Sequence, residues 1–102
     1  MLQIASLPVC VVVFGMTGCP ACSSYIPRFR TVAAKYARCV PSAVLDASVY
    51  NAVADDLRVG QTPTTLVLRY GRPSSRPLVG DASKHDIEQV FARAMRGLEC
   101  TL

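Results

Sequence analysis

The sequence predicts an α/β fold, a three-layer sandwich of helices about a central sheet, in the order β-α-β-α-β-β-α. Three observations carry it. The run VCVVVFG at 9–15 is β-branched almost throughout and ends on glycine, the mark of a strand buried on both faces. Two later segments repeat their apolar residues at spacings of three and four, as helices do. After Gly60, two β-rich runs close around a Gly-Arg-Pro turn, as a hairpin does.

The first helix is expected from Pro20 to about Arg38, with Ile26, Phe29, Val32, Ala33 and Tyr36 on its apolar face. Pro20 falls in the first turn, where its missing N–H leaves nothing unpaired. Pro27 lies inside the helix and is expected to kink it. VPSAVLDA at 40–47 reads as a second short strand, and strand, helix, strand implies a right-handed parallel crossover. Ser48 is expected to cap a helix reaching about Arg58, with Val49, Val53 and Leu57 on one face. Strands at 64–70 and 76–80 should pair antiparallel around Gly71, Arg72 and Pro73. Ser83, with Asp86 three positions on, has the form of a capping box, and Ile87, Val90, Phe91, Ala94 and Leu98 give the last helix its apolar stripe. A mostly parallel sheet between helix layers follows from this order.

Composition narrows the function. The chain has 102 residues, 51% of them hydrophobic, and no repeat, linker or low-complexity segment, so a single domain spanning 1–102 is expected and disorder is not. MLQIASLPVCVVVFG has no Lys or Arg ahead of its apolar run and is interrupted by Pro8. It reads as an arm leading into a buried strand, neither an export signal nor a membrane span, which makes the cytoplasm the expected location. Of the net charge of +4, Arg28, Arg30, Lys35 and Arg38 cluster on the first helix, while Asp55, Asp56, Asp81, Asp86 and Glu88 come later. That basic face is expected to be solvated surface, and without interleaved aromatics no nucleic-acid partner is expected. A monomer without a membrane partner is the reading.

The chemistry lies in GMTGCPACSSYIPRF at 15–29, where Cys19 and Cys22 stand between a buried strand and a helix. Backbone N–H groups and the helix dipole there favour negative charge. A thiol so placed ionises below its free value of about 8.5. Cys19 is then the nucleophile in disulfide exchange, and Cys22, one turn on, resolves the mixed disulfide. Half a zinc site is the alternative reading of C-x-x-C. It would need its remaining ligands from Cys10, Cys39, Cys100 and His85, which form no second half-site. Redox chemistry is favoured and no metal is expected. Cys10 reads as a core residue and His85 as a surface one. Cys39 and Cys100 are expected as free thiols, with a regulatory or intermolecular disulfide the lesser alternative.

These residues resemble the thioredoxin superfamily. VVVF precedes CPAC, Pro27 falls five residues after the second cysteine, and VGQTPT leads into the third strand. The resemblance implies a central mixed four-stranded sheet and makes Pro63 a cis proline facing the cysteines. It gives Thr62 a substrate-pairing backbone, and it places Gly80, with Pro20 and Ala21, beside the substrate groove. It also implies protein disulfides as substrates, a reductase or glutathione as electron donor, and no cofactor beyond the Cys19–Cys22 disulfide.

Departures from the family pattern accompany the match. Gly18 stands where thioredoxins carry tryptophan, Pro20 and Ala21 replace Gly-Pro, and Val13 replaces a buried acid. No side chain is then placed to take the proton of Cys22. Cys-Pro-x-Cys is closer to glutaredoxins, so a glutathione-dependent enzyme, with Arg28 or Arg58 holding that anion, is an alternative. A non-catalytic binding module is another.

Overall fold

The structure, a computed structural model, describes residues 4–102; the first three residues of the expected N-terminal arm lie outside the described residues. After a 3-10 turn at Ile4–Ser6, the chain runs β1 (Cys10–Gly15), α1 (Pro20–Tyr36), β2 (Ser42–Asp46), α2 (Asn51–Asp56), β3 (Thr64–Arg69), β4 (Arg72–Pro73), β5 (Leu78–Val79) and α3 (Lys84–Ala94). The sheet order is β2-β1-β3-β4, with β5 also on β3.

Every residue of β1 is buried, because α-helices cover both of its faces. Val9, Val11 and Val13 point into a core shared with Tyr25, Phe29 and Val32 of α1 and Ile87, Val90 and Phe91 of α3. Cys10, Val12 and Phe14 point the other way, onto Ala54 of α2 and Leu66 and Leu68 of β3. Cys10 is free and 2% exposed, and burial pushes its thiol up to about 11 from 9.0. The sheet is less parallel than the element order suggested: β1 and β2 run parallel, whereas β1 pairs antiparallel with β3, and β3 with β4 and β5.

The hairpin differs from its expected form. Arg72 and Pro73 belong to the ladder, not the turn, opposite Arg69 and Leu68. The turn is Tyr70-Gly71, both at positive φ (51° and 79°), as a two-residue connection between twisted strands requires. A side chain on Gly71 would also meet the Ala5 backbone at 2.9 Å. Further on, β5 pairs Val79 with Thr64 and Leu78 with Thr65, two residues out of step with β4. Pro77, which has no N–H to give a ladder, lies in that bulge.

The second helix is also shorter than expected. Ser48 donates its N–H and its hydroxyl to Asp46 Oδ1, at 2.8 and 2.6 Å, and so closes a turn where a helix start was expected. Val49 is 69% exposed, and α2 begins at Asn51 without a side-chain cap. Ser83 does cap α3, accepting the Asp86 N–H at 3.1 Å.

The basic face of α1 is only partly solvated surface. Arg28 pairs with Asp81 and Lys35 with Glu88, joining α1 to α3 and the loop before it. Because those two helices pack on the same sheet face, the end of α1 and the tail after α3 reach the same pole. There Cys39 and Cys100 form an intrachain disulfide, Cα atoms 5.7 Å apart, where free thiols were expected. Among the described residues, no helix is long and apolar enough to cross a membrane.

Candidate active site

Cys19 sits where β1 has ended and α1 has not yet begun. Its backbone is extended, and as the N-cap of α1 its Sγ accepts the Cys22 N–H at 3.1 Å, the place that a Ser or Asp oxygen takes at most helix starts. Pro20 follows at the start of the helix, where it wastes no donor. Cys22 faces the sheet and is 2% exposed. Its Sγ lies 3.8 Å from where a Gly15 Cβ would stand. Cys19 remains partly exposed. The two are joined in a disulfide, Cα atoms 5.2 Å apart.

A third group arrives from far along the chain. The Thr62 hydroxyl donates to Cys19 Sγ at 3.5 Å, and the Thr62 carbonyl oxygen lies 3.6 Å from the same sulfur. The Thr62–Pro63 peptide is cis, with Pro63 buried and Thr62 partly exposed. Gly80, at φ 92°, donates its N–H to the Pro63 carbonyl at 2.8 Å. Cys19, Thr62, Pro63 and Gly80 are thus linked in one constellation by contacts along the chain of hydrogen bonds. Met16 and Val79, 45% and 46% exposed, together with exposed Pro20 and half-buried Ala21, give this end of the molecule an apolar surface.

Beneath the site the polar groups are neutral. Val13 is fully buried and pairs with Thr65 across the sheet. The Thr65 hydroxyl is bonded to the Tyr25 hydroxyl at 2.6 Å. Burial raises the Tyr25 phenol above its ordinary value, against the opposing pull of the Thr65 bond. Tyr25, in the second turn of α1, was absent from the apolar stripe read for that helix, which began one residue later at Ile26.

Arg28 is engaged beside Gly80. It holds Asp81 and donates to the Ala82 carbonyl at 2.9 Å, and its hydrogen bond, followed by one from Ser24, keeps the Asp81 carboxyl below its usual value. Arg58 lies past α2 in a left-handed backbone conformation. Among the described residues, no three His, Cys, Asp or Glu side chains converge as a metal site needs. The contact from Thr62 and the reach from Arg28 to Asp81, 53 positions apart, carried no local sequence signal; only the fold brings them together.

The thioredoxin family model matches residues 3–93. The chain belongs to the thioredoxin family. Among solved structures, the Nicotiana alata thioredoxin NaTrxh is similar at 27% identity and a TM-score of 0.77, over 90% of this chain and 78% of that one. The thioredoxin of Malassezia sympodialis shares the fold at 18% identity and a TM-score of 0.78, over 85% of this chain and 75% of that one. The oxidised thioredoxin of Plasmodium falciparum does so at 20% identity and 0.76, over 89% and 86%. No curated protein sequence matches at a significant level. A thioredoxin-family chain with a bonded C-x-x-C pair is, in kind, a thiol–disulfide oxidoreductase, and proteins of this fold act on disulfide substrates with reductants.

Proposed function

We propose that this thioredoxin-family protein reduces protein disulfides, with Cys19 as nucleophile and Cys22 as resolving thiol. One observation carries the assignment of roles: Cys19 is partly exposed and receives a helix N–H, while Cys22 is buried. An N–H aimed at sulfur, at the positive end of a helix dipole, favours the thiolate over the thiol.

In the reduced protein, the Cys19 thiolate attacks one sulfur of the substrate disulfide and displaces the other, which takes up a proton. Cys22 then gives up its proton and attacks Cys19 Sγ. The second substrate thiol leaves, and the bonded pair seen here remains. Two electrons pass to the substrate, whose two sulfurs end as thiols with one proton from Cys22 and one from solvent. The Thr62 backbone pairs with the extended substrate chain while the surface around Cys19 packs against its side chains. With no carboxylate at Val13, water or the departing thiolate takes the Cys22 proton.

The same proposal includes a cytoplasmic monomer with a reductase or glutathione as donor. Engagement of Arg28 by Asp81 favours protein disulfides over glutathione as the groove's ligand, because the cation paired with the residue after Gly80 is already neutralised.

Thiolate absorbance of the reduced protein against pH tests the roles, with Cys19→Ser and Cys22→Ser beside the wild type. A group titrating well below about 8.5 that vanishes only in Cys19→Ser is the expected result. Absence of such a group, or its loss in Cys22→Ser alone, removes the assignment.

A further inference from the structure

The pole opposite Cys19 holds a second sulfur pair that disulfide exchange at Cys19 does not use. The 17 residues of α1 span roughly 25 Å at helical rise and separate the two sulfur pairs. Cys39 lies just past α1, its N–H bonded to the Tyr36 carbonyl at 2.9 Å. Cys100 lies in the irregular stretch after α3, its Sγ 3.9 Å from the Arg38 carbonyl oxygen. Neither cysteine is buried.

What holds the tail is limited. Met95 and Leu98 pack on the core between α1 and α3, as does Cys39. Beyond the bond from the Leu98 N–H to the Met95 carbonyl, at 3.1 Å, no backbone hydrogen bond secures the chain among the described residues. The disulfide is therefore the main tie between the last residues and the body of the protein. Both cysteines are also partly exposed, and exposed disulfides are the more readily reduced. At 61 positions of sequence separation, its opening returns a large loop entropy to the unfolded chain.

We propose that Cys39–Cys100 is a second redox site, a clasp that a dithiol opens to release the C-terminal tail, independently of Cys19–Cys22. One thiolate of the dithiol attacks a clasp sulfur and breaks the S–S bond; the displaced cysteine leaves as a thiolate and is protonated. The second thiol of the reagent loses its proton and attacks the mixed disulfide, which frees the other cysteine. Two electrons pass from the dithiol, which ends as a disulfide, and both cysteines end as thiols. Opening loosens Met95 and Leu98 against the core, so the clasp makes stability depend on the redox state of the surroundings.

The test uses the double variant Cys19→Ser/Cys22→Ser, in which the clasp is the remaining close sulfur pair. The folded variant is equilibrated across ratios of reduced to oxidised dithiothreitol, with full reduction as the end point. Free thiols are trapped with a maleimide and counted by mass. The expected result is one transition from none to two labelled thiols while the protein stays folded. The reduced form should melt roughly 10 °C lower and lose its C-terminal residues faster to carboxypeptidase. Cys39→Ser should show the low melting point under all conditions. Two labelled thiols at every ratio would mean that no clasp forms. Reduction only on unfolding, or equal melting and digestion in both states, would make it a fixed or inert bond. Any of these overturns the proposal, and none bears on catalysis at Cys19.

Discussion

Two sulfurs of the same chemistry acquire different surroundings here from position alone. Cys19 caps a helix from outside while Cys22, inside the first turn, points at the sheet. The spacing made this readable, since any C-x-x-C at the start of a helix has that asymmetry. What the spacing could not show is the Thr62 hydroxyl on Cys19, which depends on a distant loop folding back. Val13 is the residue whose identity matters most beneath them. Val13→Asp would put a carboxyl among Val67, Tyr25 and Phe29 with no cation in that core, which raises its folded-state pKa. The folded protein then holds a proton that the unfolded chain releases above about 3.9, so stability falls as pH rises past that value. Urea unfolding should show a loss of about 3 kcal/mol or more at neutral pH and much less near pH 4; equal loss at both pH values would contradict a neutral, apolar site.

At the scale of elements, α1 links the cysteine pair to the core. Phe29 lies between Tyr25, on which it stacks, and Phe91, to which it is tilted, ring centroids 6.2 and 5.7 Å away, and is 1% exposed. Phe29→Ala should cost about 3–5 kcal/mol in denaturant unfolding while leaving the Cys19 titration in place. The ion pairs from α1 to the α3 side act in a narrower range. Hydrogen bonds from Arg28 and Lys35 hold Asp81 and Glu88 below their ordinary values. Their contribution is therefore present above the ordinary carboxylate range and is lost as pH falls through the lower folded values. The unfolding midpoint should drop on acidification below about pH 4, and less so in Asp81→Asn; an unchanged slope in that variant would exclude the pair as a source. The long elements were legible because their periodicity spans several turns. The segment 70–80 was not, because two prolines and a left-handed turn split one strand into two short pieces. The start of α2 was misplaced because Ser48 has two local partners to choose between, a helix N–H and the Asp46 carboxylate, and it takes the second.

Over the whole molecule, the fold keeps its two sulfur pairs apart, with Cys19–Cys22 at the start of α1 and Cys39–Cys100 past its other end. The pairing of Cys39 with Cys100 could not be read from spacing, since it depends on α1 and α3 lying side by side. Net charge belongs to this scale as well. At +4, encounter with acidic protein disulfides should be faster than with neutral ones. Their kcat/KM should fall between low and physiological salt, as the screening length shrinks from about 30 to about 8 Å, while a neutral peptide disulfide should be indifferent; parallel salt curves for the two would remove charge steering. Cys10 adds one more whole-molecule property. Its sulfur sits on the central strand, sealed on both sides and resistant to ionisation. Reagent can reach it only when the packing over that face of the sheet opens, so the rate at which this one atom becomes modified is an internal clock for rare excursions out of the native state.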